Sequence, residues 1–131
     1  MLELFRELVY THHSTAILIT HDLAVVSETC DYTAAMYAGH VVEFGRTKDV
    51  FAEPLHPYTQ GLLNCCLAGD SSEGFRYIPG TVPSLITPPP GCRFAPRCPL
   101  CTSDCEAQTP KLVELEGGHF VACGRFLLGL V

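Results

Sequence analysis

Apolar residues first recur at helical spacing. Leu4 and Leu8 lie one turn apart with Phe5 and Val9 beside them, which predicts a helix over residues 1–10. After the polar link Thr11-His12-His13-Ser14 the pattern becomes an unbroken apolar run, Ile17-Leu18-Ile19, ended by Thr20-His21-Asp22. Such a run predicts a strand over 15–20 buried on both faces, as in the parallel sheets of α/β proteins. Functional groups in those folds sit at the carboxyl ends of strands, which is where His21 falls. Leu23 to Cys30 returns to helical spacing, with Asp22 or Thr20 available as N-cap. Two β-prone runs, Tyr32–Tyr37 and His40–Gly45, flank Ala38-Gly39 and predict a hairpin, in which His40 is expected to be exposed and idle.

Arg46 to Phe51 reads as a short helix, with Lys48-Asp49-Val50-Phe51 as its body. The loop Ala52 to Pro57 follows, its two prolines stopping regular structure. Pro57 suits the first turn of a helix over 58–67. Small residues at 68–74 read as a linker, and the remainder is proline-rich with little periodicity. Such a segment buries too little apolar surface to hold itself together without a staple.

Composition narrows the class. A chain of 131 residues, 47% hydrophobic and 17% charged, has the balance of a folded protein. The net charge of −6 gives no support to nucleic-acid binding. No apolar run approaches the ~20 residues that span a bilayer and the start is not a signal peptide, so the cytoplasm is the expected compartment. There clustered cysteines are metal ligands or redox groups before they are structural disulfides. Of the eight, Cys30, Cys65 and Cys66 lie in apolar helical segments and are expected to be small buried hydrophobes, whereas five crowd between Cys92 and Cys123.

At this level of detail the sequence resembles a family. ILITHDLAVVSETCDYTAAMYAGHVVEFG is similar to the end of the nucleotide-binding domain of an ABC transporter ATPase. FAEPLHPYTQGLL narrows this to the oligopeptide/dipeptide importer branch, and IPGTVPSLITPPPGCRFAPRCPLCTSDCE with GGHFVACG resembles the C-terminal extension of that branch. The resemblance implies an α/β fold: the C-terminal portion of a P-loop NTPase nucleotide-binding domain over 1–67, followed by a mostly irregular, Cys-rich extension over 68–131. It also implies partners, namely membrane subunits and a second ATP-binding subunit at the cytoplasmic face, with the peptide handled by other subunits. His21 resembles the switch-region histidine that reaches the γ-phosphate of ATP.

Nothing in the chain matches GxxxxGK followed by Ser or Thr, an LSGGQ-type signature, or an apolar strand ending in Asp-Glu. In the family these lie upstream of the helix that residues 1–10 resemble. The chain is therefore expected to be a C-terminal fragment or truncated product that binds ATP and Mg²⁺ only with the remainder supplied. Phosphoryl transfer rests on positioning and charge stabilisation by the loop lysine, Mg²⁺ and backbone donors, none of which a histidine replaces. Two other readings stay open: a stand-alone metal- or iron–sulfur-binding module, and a non-functional remnant. Poor solubility is expected, because the strand before His21 is built to be flanked.

Cys92, Cys98, Cys105 and Cys123, spaced C-x5-C-x6-C-x17-C, match the family pattern. By resemblance they imply a 4Fe–4S cluster, which four thiolates suit. Zinc and metal-free thiols or facultative disulfides are the alternatives. Cys101 departs from the family and creates a C-x-x-C step, Cys98-Pro99-Leu100-Cys101, that zinc would also accept. A thioredoxin-like role for it is disfavoured, since no strand leads into it. His119 is a further candidate ligand.

Overall fold

A computed structural model describes residues 2–67 and 77–127; the 68–74 linker lies outside them. Its elements are α1 (Leu2–Thr11), α2 (Leu23–Thr29), β1 (Tyr32–Tyr37), β2 (His40–Arg46), α3 (Thr47–Ala52) and α4 (Pro57–Leu67). After them come a 3-10 turn (Ala95–Arg97), α5 (Ser103–Ala107), β3 (Val113–Glu114), β4 (Phe120–Val121) and α6 (Gly124–Leu127).

Local chemistry explains most of these. The Asp22 carboxylate accepts from the amides of Ala24 (3.0 Å) and Val25 (3.2 Å), capping α2 as the sequence indicates. Ala38 and Gly39 both take positive φ, 46° and 83°, the type I′ geometry that matches strand twist in a tight hairpin. The register slips between Ala35 and Met36, which face Glu43 and Val41, so Val42 is a bulge residue on β2. His40, expected to be exposed, is half-buried where β2 begins.

The sheet has four strands in the order β1-β2-β4-β3, and every pair is antiparallel. Its central pairing joins distant parts of the chain: Glu43 faces Val121 and Phe44 faces Phe120. The Val42 carbonyl, turned out at the bulge, accepts from the Ala122 amide at 2.8 Å. Tyr37, Val42 and Phe94 form the buried centre, with Tyr58, Ile78, Cys92 and Cys98 packed against it. Phe94 meets Tyr37 edge-on at 5.1 Å between centroids and Tyr58 at 5.6 Å. Arg97 binds the carbonyls of Ile78 (2.7 Å) and Pro79 (2.8 Å) and lies over the Tyr37 ring, fixing the start of the extension.

One expected element is corrected. Residues 15–20 form no strand; Ile17 is 90% and Ile19 93% exposed. A parallel strand takes its hydrogen bonds from neighbours on both sides, and among the described residues no strand flanks this one. Between its irregular stretches the extension contributes the 3-10 turn, α5, β3, β4 and α6, with β4 completing the sheet against β2.

Candidate functional site

His21 sits on the exposed run that leads into α2. The Thr20 hydroxyl accepts from the Asp22 amide at 3.0 Å and Asp22 caps the helix, so both neighbours of His21 are held while its own side chain stays in solvent. An imidazole so placed can donate its ring N–H to a phosphate oxygen. Alone it offers no charge stabilisation for phosphoryl transfer.

Four cysteines of the extension, Cys92, Cys98, Cys101 and Cys105, lie on a circuit, a loop of the chain held by backbone hydrogen bonds and closed through the Cys101–Thr102 peptide. Ala95 N donates to Cys92 O (3.0 Å), Cys98 N to Ala95 O (3.1 Å) and Cys101 N to Cys98 O (3.2 Å), stepping round three residues at a time. Cys105 N donates to Thr102 O (3.0 Å), and Cys92 N to Cys105 O (2.7 Å) closes the loop. Cys105 Sγ lies 3.6 Å from where a Cβ on Gly124 would stand, which brings the Cys123 segment against the circuit.

Burial, followed by the charge of neighbouring thiols, pushes the Cys98 thiol up to about 11. Burial also raises Cys92, Cys101 and Cys123, with Cys105 a neighbouring charge for each. The backbone bonds hold the Cys92, Cys98, Cys101 and Cys105 positions together, and the approach of Gly124 to Cys105 brings Cys123 alongside. Without a cation these thiols resist sharing negative charge; a bound metal reverses that balance. They are neighbours and not a formed cage: among the described residues no group of three or more His, Cys, Asp or Glu side chains stands in position to hold a metal ion. Cys30 and Cys65 are half-buried, and Cys66, expected to be buried, is exposed.

Sequence reading missed the junction between hairpin, α4 and extension. Glu43 is fully buried on β2. Its Oε1 accepts from Leu55 N (2.8 Å) and is hydrogen-bonded to His119 Nε2 (2.7 Å), and its Oε2 accepts from His56 N (2.9 Å). His119, weighed as a metal ligand, is thus engaged by Glu43. His56 is itself buried, and its Nδ1 accepts from Tyr58 N at 3.0 Å, which leaves the ring proton on Nε2 and caps α4 ahead of Pro57. A polar residue inside strand alternation gives no sign that it is buried, so only the His-Pro pair hinted at this node.

Desolvation lowers His56 to about 4 from the ordinary histidine value of 6.5. The unfolded chain takes up that proton below 6.5 while the folded chain refuses it until about 4, so stability falls as pH drops through this window. The loss is expected to reach about 3 kcal/mol. Urea midpoints measured at several pH values across the window read it. His56→Asn keeps a capping acceptor and should flatten the slope; an unchanged slope in that variant excludes His56 as its source.

Residues 42–105 match the family described as the oligopeptide/dipeptide transporter, C-terminal region. The chain is 43% identical over 125 residues to the dipeptide transport ATP-binding protein DppD of Caldanaerobacter subterraneus, an alignment covering 94% of the chain and 38% of that relative. It is 44% identical to the oligopeptide transport ATP-binding protein AppD of Bacillus subtilis, with 94% and 38% covered. Against the oligopeptide transport ATP-binding protein OppD of Escherichia coli it is 42% identical, with 94% and 36% covered. The chain thus spans less than two fifths of the length of these relatives.

Proposed function

Because the chain belongs to the oligopeptide/dipeptide ABC transporter ATP-binding proteins and matches their C-terminal region, we propose that its residues serve in the ATP-binding subunit of a peptide importer. The observation that carries this reading is the similarity to several such proteins over 94% of the chain, which takes in the helix α2, the hairpin and the extension together. A stand-alone metal module is not favoured by a match of that extent.

In this reading His21 meets the γ-phosphate of Mg-ATP held by the remainder of the subunit and helps to place the attacking water. The exposed apolar run before it is then the strand that the remaining domain flanks, and its Ile17 and Ile19 side chains become covered. The subunit works in a pair beneath membrane subunits at the cytoplasmic face. No described helix is long and apolar enough to cross a membrane, in keeping with a peripheral place.

Cys92, Cys98, Cys105 and Cys123 are the residues that would hold a metal group in the extension. Their chemistry fits one: the neighbouring thiols that help burial to raise Cys92, Cys98 and Cys123 have their charge relieved by a thiophilic cation. A 4Fe–4S cluster is preferred and zinc is the alternative. Either would supply a cross-link between the circuit and the Cys123 segment. Iron and acid-labile sulfide content of an anaerobically purified chain decides between them.

The purified chain alone is expected to turn over no ATP. Joined in frame to the remaining domain of a relative, it should support ATPase activity, and His21→Ala in that chimera should lower kcat by about 10²–10³-fold, the usual loss for one donor to a developing charge. Turnover by the chain alone, or an unaffected His21→Ala chimera, defeats this assignment.

A further inference from the structure

A cavity of about 300 Å³ lies between the hairpin and the extension, and no residue of the exposed run 15–20 borders it. That volume is at the lower end of small-molecule sites. One end is polar. His40 and Arg93 line it there, and a Cβ on Gly39, the neighbour of His40, would stand 3.2 Å from Arg93 Nη1. The other end is apolar. Ala122 N donates to Val42 O at 2.8 Å, and Val113 pairs with Val121, so Leu112 and Ala122 close the cavity beside Val42. His40 and Val42 are two residues apart on β2, a separation of about 7 Å along a strand. The buried rings of Tyr37 and Phe94 line it as well.

We propose that this cavity is a binding site for a small organic monocarboxylate with an apolar body, its carboxylate held by Arg93 and His40 and its body lying over Val42 and Leu112. Among the described residues the only hydrogen bond of Arg93 runs from Nη1 to the Ala38 carbonyl. The Nε and Nη2 protons are left for a ligand, and that edge of a guanidinium matches the two oxygens of a carboxylate. The His40 ring adds a further N–H. No Asp or Glu lines the cavity, so an ammonium group on the ligand would meet no carboxylate. A zwitterionic amino acid or free peptide is disfavoured for that reason, since its cation would be desolvated without a partner. Because hairpin and extension both touch the ligand, binding ties the two together and stabilises the fold by mass action. The proposal stands on the cavity alone, and neither the metal nor the role of His21 enters it.

The full 131-residue chain is titrated with 3-phenylpropionate, followed by calorimetry and by the rise in its melting temperature. Saturable binding with a Kd of about 1 mM or tighter is expected for a ligand of this size. The uncharged 3-phenylpropanamide has the same shape and should bind at least about 10-fold more weakly, as should phenylalanine, which adds the ammonium group. No saturable binding of the acid, or acid and amide binding equally well, overturns the proposal. Leu112 is 43% exposed, so Leu112→Trp can fill the apolar end from outside with the urea midpoint unchanged. Binding of the acid should be abolished in that variant; undiminished binding puts the probe elsewhere and overturns the site. Arg93→Met should erase the preference for acid over amide, and an unchanged preference removes Arg93 from the site. Should that variant fail to fold, the native acid-to-amide ratio and Leu112→Trp still decide.

Discussion

Glu43→Ala is expected to lower the unfolding free energy by about 3–5 kcal/mol, read as a fall in the urea midpoint with little change in slope. The size follows from what the carboxylate does. It is fully buried, and it satisfies the Leu55 and His56 amides and the His119 ring at once. Removing it leaves those donors inside with no acceptor, each at a cost of about 1–3 kcal/mol. His119→Ala, which removes one donor and leaves two, is expected to cost less than half as much. Because the node ties β2 to the loop before α4 and to the extension, the Glu43 variant should also expose the extension to proteolysis. A Glu43→Ala midpoint within error of the native chain excludes the node as a stabilising centre.

Gly91→Ala should open the cysteine circuit. A Cβ at this position would stand in hard overlap with the backbone carbonyl oxygens of Cys105 and Glu106. Those atoms cannot yield as a flexible side chain does, because the Cys105 carbonyl is the acceptor for the Cys92 amide at 2.7 Å. The overlap must be relieved by parting the two backbone segments, which breaks the bond that closes the circuit. Overpacking of this kind costs about 1–3 kcal/mol. The more direct readout is chemical: a thiol reagent should modify Cys92 and Cys105 at least about 10-fold faster than in the native chain, since the rate follows access. Native modification rates in Gly91→Ala would show that the segments have room to spare. Phe94 should remain packed against Tyr37 and Tyr58 in this variant, because Gly91 makes none of those contacts.

Much of the local architecture follows from the sequence through short-range physics. Ala38-Gly39 between two β-prone runs predicts the hairpin, since both residues must reach positive φ and the second does so without penalty. Asp22 ahead of Leu23 marks the start of α2 by supplying an acceptor for free amides. Pro57 starts α4 for the converse reason, having no amide to leave unpaired. The spacing of the cysteines singles out Cys92, Cys98, Cys105 and Cys123 but says nothing of where their sulfurs point.

The strand over 15–20 is the instructive failure. Its apolar pattern reports an environment and not a conformation, and the described residues do not provide that environment. Ile17 and Ile19 stand in solvent accordingly. The same logic applies to α1, where Leu4, Phe5 and Leu8 form an apolar face that is left exposed. Exposed apolar surface of this kind marks a face suited to packing against other protein.

By itself, then, the sequence determined the turns, caps and helix starts, the family, and which residues carry reactive groups, because each of these depends on residue type and near neighbours. Tertiary structure alone decided that Glu43 is buried beneath three donors, that β4 pairs with β2 across more than 70 positions, and that the Cys92 amide meets the Cys105 carbonyl. Those facts depend on which segments meet in space. No window of sequence contains both partners of a long-range contact, and the burial that sets its energy exists only after the segments have packed.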